Sequence, residues 1–154
     1  MVEKLENLII KIHEMVGDRF TIVGTMSMRL NGYDITPRKS EIDVCVYHMD
    51  DFNKIRTMGE NRVNRNGDRT PFNEDIRSFI TTEDGYIDLY YYGEEITHNV
   101  ITLKGIEVKV GNHEHYTKLY CGIMNDFNFD KYDPNGKFKE KILSHINFLD
   151  IDCF

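Results

Sequence analysis

The chain has 154 residues, of which 29% are charged and 40% hydrophobic, and its formal net charge is −7. That length suits one domain, 1–154, with a substantial core, and the composition is that of a globular rather than a disordered protein. The acidic balance argues against a broad DNA- or RNA-binding surface, which is ordinarily basic, and no apolar run approaches the ~20 residues of a membrane span.

The first residues lack the basic, apolar and small-residue succession of a secretion signal, so a cytoplasmic location is expected. The three cysteines, Cys45, Cys121 and Cys153, are an odd count without a CxxC pair. They read as buried, reduced thiols, with neither a disulfide framework nor a zinc site expected.

In chain order, residues 2–16 carry Leu5, Leu8, Ile9, Ile12 and Val16 at helical spacing, and Gly17 can stop that helix. Phe20-Thr21-Ile22-Val23 reads as a short buried strand. A helix is expected over 25–31, starting at the turn made by Gly24. The loop 32–39, with Gly32 and Pro37, leads to a strand at about 41–48, and Asp50 or Asp51 is placed to cap a short following helix.

Residues 59–75 are polar and broken by Gly59, Gly67 and Pro71, which predicts a long loop of the kind often used as a lid. Arg56, Arg62, Arg65, Arg69 and Arg77 surround it. They read first as a solvated set balancing nearby acids, and second as an arm for phosphates or RNA. Strands at 76–82 and 86–92 flank the turn Glu83-Asp84-Gly85. A second hairpin, 100–103 and 106–110, flanks Lys104-Gly105. One helix should run from about Asn112 to Met124 and another through Phe138, Ile142 and Ile146, separated by a loop over 126–136. The expected class is α+β, or mixed α/β, with a mixed and mostly antiparallel sheet, flanking helices and helices at the C-terminus.

Three features of this succession carry chemistry. The Val23-Gly24-Thr25 turn joins a strand to a helix, where backbone amides beside a hydroxyl suit an anion. Glu41 and Asp43 stand two apart on one strand and share a face, opposite Ile42, Val44 and Val46. Asp88 interrupts the strand Tyr86-Ile87-Asp88-Leu89-Tyr90, where an acid is costly to bury without a partner. An all-oxygen set of carboxylates suits Mg²⁺, which binds through carboxylates, waters and substrate phosphates.

Other signals read as structural. His113-Glu114-His115 lacks a third ligand and fits polar residues near a helix start. Asp133-Pro134-Asn135-Gly136 fails the calcium-loop pattern and reads as a turn. The Tyr90-Tyr91-Tyr92 run reads as strand packing before it reads as a base-stacking face.

The succession Gly24-Thr25, Ser40-Glu41-Ile42-Asp43-Val44 and a strand-borne Asp88 resembles the nucleotidyltransferases related to DNA polymerase beta, in their minimal or small-molecule form. Leu30-Asn31-Gly32, Thr36-Pro37-Arg38 and the helix carrying Lys118 are similar to that family's connecting and lysine-bearing segments. The resemblance covers roughly residues 20–120. It implies a nucleotidyltransferase-like fold and transfer of a nucleoside monophosphate from an NTP to an acceptor hydroxyl on a small molecule, a protein or an RNA end. It also implies Mg²⁺, or Mn²⁺, held by Glu41, Asp43 and Asp88, with phosphate contacts from Gly24, Thr25, Arg38 and Lys118. Glu41 departs from the family's usual Asp, and its extra methylene moves the carboxylate by ~1.5 Å, one C–C bond length. That departure leaves open an inactive, antitoxin-like interaction or regulatory protein of the same fold.

Overall fold

The computed structural model describes residues 1–37, 39–62 and 76–153. They fall into two compact units, one ending at Asn112 and the other beginning at His113.

The first unit is built on a seven-stranded sheet. Its strands are β1 (Phe20–Val23), β2 (Glu41–Val46), β3 (Glu60–Arg62), β4 (Ile76–Thr82), β5 (Gly85–Tyr91), β6 (His98–Leu103) and β7 (Ile106–Gly111). They lie in the order β3-β4-β5-β2-β1-β7-β6. The β1–β7 and β2–β5 pairs are parallel; β1–β2, β3–β4, β4–β5 and β6–β7 are antiparallel. The sheet is therefore mixed and mostly antiparallel, and the α+β class is as expected.

Helices α1 (Val2–Val16), α2 (Gly24–Leu30) and α3 (Met49–Arg56) complete this unit. Alternation along the strands sorts side chains onto two faces. Across the central pairs, Phe20 faces Val46, Ile22 faces Val44, Ile42 faces Ile87 and Val44 faces Leu89. All are buried against Leu5, Leu8, Ile9, Ile12 and Val16 of α1 and Phe52 and Ile55 of α3. Each such side chain contributes about 1.5–3 kcal/mol through its removal from water. The other face of the same strands carries the acids.

Several local expectations are revised. The polar stretch after Gly59 is not all loop, because Glu60–Arg62 pairs with Phe79–Thr81 as an edge strand. The rest of that expected loop, 63–75, with Arg65 and Arg69, lies outside the described residues. Asp51 is not the cap of α3. His48 holds that position without a side-chain cap, and the Asp51 carboxylate accepts hydrogen bonds from Arg19 Nε and Nη2, both at 2.9 Å. With Asp51 only 2% exposed, a buried charge has found its counter-charge in place of the backbone amides. That pairing holds the Asp51 carboxyl below its ordinary range, the Arg19 hydrogen bond being the main cause.

The second unit holds α4 (His113–Asp126), a single turn α5 (Phe129–Tyr132) and α6 (Lys137–Phe148). Tyr116, Tyr120 and Ile123 form the buried stripe of α4, and Asp133-Pro134-Asn135-Gly136 is the expected turn. The Asp133 carboxylate accepts from the amides of Phe138 and Lys139, each at 2.9 Å, and so satisfies orphan donors at the start of α6. The expected loop over 126–136 is not all loop either: it contains α5, which Asn128 caps by accepting from the Lys131 amide.

The cysteine expectation is corrected here. Cys121 and Cys153 are disulfide-bonded, with Cα atoms 5.2 Å apart across 32 residues of chain; Cys45 is a buried thiol outside that bond. Spacing along the chain held no sign of this pair, because the return of the C-terminal segment to α4 is a tertiary event. The bond removes the reduced-thiol argument for a cytoplasmic location. Among the described residues, no helix is long and apolar enough to cross a membrane.

Candidate metal centre

The acid-bearing face is organised by strand register. Val23, Asp43, Asp88 and Phe79 form one row across β1, β2, β5 and β4, and Glu41, Tyr86 and Thr81 form the next. Asp43 and Asp88 are direct neighbours in a parallel pair, so their side chains leave the sheet on the same side. The carboxylates of Glu41, Asp43 and Asp88 each offer an oxygen, and these oxygens lie within 4.8 Å of one another. The longer Glu41 side chain lies within the cluster.

Gly24 joins the cluster from β1. Its φ is +68°, in the region that side-chain-bearing residues rarely adopt. A Cβ built there would stand 2.2 Å from Asp43 Oδ2 and 3.1 Å from Asp43 Cγ. The glycine is thus required twice, by the turn and by the carboxylate resting against it. Ser27, unremarked in the sequence, is fully buried and donates from Oγ to the Gly24 carbonyl at 2.6 Å, fixing the first turn of α2. Thr25 is half-buried in that turn.

The partner of Asp88 is the feature sequence reasoning missed. Arg77 of β4 sits opposite Tyr90, diagonal to Asp88. Its Nε donates to Asp88 Oδ1 at 2.7 Å and its Nη2 to Oδ2 at 2.5 Å. The Tyr90 hydroxyl donates to the same Oδ2 at 2.9 Å, and the guanidinium carbon lies 4.9 Å from the Tyr90 ring centroid. Side-chain exposure is 21% for Arg77 and 5% for Asp88, so this is a covered, bidentate pair. Burial alone would push the Arg77 guanidinium toward losing its proton, but hydrogen bonding to Asp88 and the Asp88 and Asp43 charges reverse that, and its pKa is raised. Burial, then the Asp88 and Asp43 charges, also raises the Tyr90 phenol, which keeps the hydroxyl a donor. Of the five arginines around the polar segment, Arg77 does balance an acid, and that acid is one of the proposed ligands.

The remaining expected site residues divide as follows. Arg38 lies outside the described residues. Lys118 is on α4 in the second unit, 70% exposed, with Nζ 3.3 Å from Glu114 Oε1 in its own helix.

The donor set bears directly on the cation that the resemblance implies. Three carboxylates with oxygens this close repel one another unless cations intervene, and an all-oxygen set matches Mg²⁺ or Mn²⁺. Opposite ligands of Mg²⁺ stand about 4.2 Å apart, twice its ~2.1 Å bond, so carboxylates up to 4.8 Å apart would draw together to share one ion. Arg77 meets part of the charge, so Asp88 divides its oxygens between that guanidinium and the Tyr90 hydroxyl. The residues present fit a divalent cation.

No protein-family model matches the chain, and no curated protein matches it. Among solved structures it is similar to JHP933 from Helicobacter pylori, at 13% identity and a TM-score of 0.45, over 77% of this chain and 54% of that one. The chain spans about half the length of that protein, and a likeness at this level assigns neither fold family nor activity.

Proposed function

We propose that the chain is a Mg²⁺-dependent nucleotidyltransferase, transferring a nucleoside monophosphate from an NTP to an acceptor hydroxyl on a small molecule, a protein or an RNA end. The observation that carries this reading is the convergence of Glu41, Asp43 and Asp88 within 4.8 Å beside the Gly24 turn. In this reading Glu41, Asp43 and Asp88 hold the cation, and Asp88 also assists deprotonation of the acceptor hydroxyl. A divalent cation bound there would supply Lewis-acid polarisation and charge neutralisation at the phosphates. Gly24 and Thr25 would contact phosphate oxygens through the backbone and hydroxyl of the turn. A cytoplasmic location then follows from the supply of nucleoside triphosphate rather than from the cysteines.

One observation favours a second reading. The Arg77 fork already compensates Asp88, as expected of an inactive interaction protein that keeps the fold without the metal. The two readings separate in one assay. With Mg²⁺ and a candidate acceptor pool, an α-labelled NTP should leave its label on an acceptor while a γ-labelled NTP should not. Asp43→Ala should abolish the transfer while retaining the wild-type circular dichroism spectrum. Transfer undiminished in Asp43→Ala would remove Asp43 from the mechanism, and no transfer by wild-type protein to any acceptor class would favour the interaction reading.

A further inference from the structure

We infer that Arg77 is a latch on the metal centre: its guanidinium competes with the divalent cation for Asp88, so that completing the three-carboxylate site requires Arg77 to yield part of its hold. This inference rests on the metal-centre reading above and concerns its regulation.

Stoichiometry at Asp88 carries the proposal. Its two oxygens accept three hydrogen bonds, from Arg77 Nε, Arg77 Nη2 and the Tyr90 hydroxyl. A carboxylate offers about four acceptor positions, so one remains for a cation. Mg²⁺ demands near-ideal octahedral geometry, and a single leftover position set by another pair's fork is poorly placed to meet it. Arg77 also brings a full positive charge to a carboxylate that is 5% exposed, and like charges crowded at one ligand repel. The guanidinium has an alternative resting place along the same face. It already lies over the Tyr90 ring, and cation–π contact can retain it there when one of its hydrogen bonds is given up. Its Nη1 is buried with no hydrogen-bond partner among the described residues. The arginine is therefore fully invested in Asp88 only through its other two nitrogens, and a rotation that moves Nη1 toward an acceptor loses less than it would from a saturated fork.

In the latched state Asp88 is compensated by Arg77, and it is recruited when a substrate-borne cation outcompetes that arginine. Premature occupation is discouraged, and the buried acid stays compensated between turnovers. Arg77 is a positioning residue in this scheme, acting through Asp88.

The test is Mn²⁺ binding, read by electron paramagnetic resonance of free Mn²⁺ on the intact chain without nucleotide. Arg77→Gln should tighten binding by about ten- to a hundredfold, the scale of one charge-assisted hydrogen bond. In an Asp88→Asn background the same substitution should have little effect. Arg77→Lys, which keeps the charge but lacks the fork, guards against misfolding of the neutral variant and should fall between wild type and Arg77→Gln. Thermal unfolding supplies a second readout: Arg77→Gln should melt lower than wild type in chelator and recover with Mn²⁺. Equal Mn²⁺ affinity in wild type, Arg77→Gln and Arg77→Lys overturns the latch and leaves the metal centre standing. An equal gain with and without the Asp88 carboxylate shows a field effect at Glu41 and Asp43 and also overturns it. Absence of Mn²⁺ binding in every variant overturns the latch and the metal-centre reading together.

Discussion

Replacing Gly24 with alanine separates the backbone role of this residue from its role in the site. Two costs arise from the same methyl group. At φ +68° an L side chain meets its own backbone, a penalty of about 1–2 kcal/mol for the left-handed region. The new Cβ also falls 2.2 Å from Asp43 Oδ2, where ordinary contact begins at 3.4 Å. The carboxylate oxygen must therefore retreat by 3.4 − 2.2 = 1.2 Å. Because that oxygen ends a rotatable side chain, the retreat adds little to the folding cost. It does move a proposed metal ligand by the distance at which catalysis falls ~100-fold. Gly32 is the control, with φ +97° and nothing within 4 Å of where an added methyl group would stand. Gly24→Ala and Gly32→Ala should lose similar stability in urea titrations, about 1–2 kcal/mol each. Only Gly24→Ala should also lose Mn²⁺ affinity and nucleotidyl transfer, the latter ~100-fold. Equal transfer and metal affinity in the two variants would refute the claim that Gly24 is kept bare for Asp43.

Two further outcomes follow from the second unit. Burial pushes the His115 imidazole down to about 4, whereas an unfolded histidine titrates near 6.5. Between those values the unfolded chain binds a proton that the folded chain refuses, so stability is full above pH 6.5 and is lost as pH falls toward 4, by about 3 kcal/mol in all. Urea midpoints across that range should show the loss in wild type and a flatter slope in His115→Asn; identical slopes would contradict it. The disulfide predicts one titratable thiol, Cys45, in denaturant without reductant. Cys121→Ser should lower stability by roughly 2–4 kcal/mol for a loop of this length, and three free thiols would disprove the bond.

Much of the sheet was legible because alternation and turn chemistry are local. The Gly24 turn, the Glu41/Asp43 pair and the hairpin at Glu83-Asp84-Gly85 all lie within short windows, and Asp43 and Asp88 met because both strands put their acids at positions opposite their core residues. Arg77 was visible only as one arginine among several. Its pairing with Asp88 depends on the antiparallel register of β4 and β5, which places it opposite Tyr90, and no spacing in the chain encodes that diagonal. Asp51 misled for the same reason: an acid at a helix start is a good cap until a tertiary partner, Arg19, takes it. The edge strand Glu60–Arg62 has no apolar alternation, because its formation is owed to β4 beside it. Cys121 and Cys153 belong with these, joined by the path of the chain rather than by its local pattern.

The central claim is that Glu41, Asp43 and Asp88 form one metal centre. Crystals grown with Mn²⁺ and a non-hydrolysable NTP test it most directly through Mn²⁺ anomalous scattering. The account predicts a peak within bonding distance of Glu41 and Asp43, with the triphosphate beside Gly24 and Thr25, and no such peak in Asp43→Asn. A bound nucleotide with no anomalous density between the three carboxylates would contradict it.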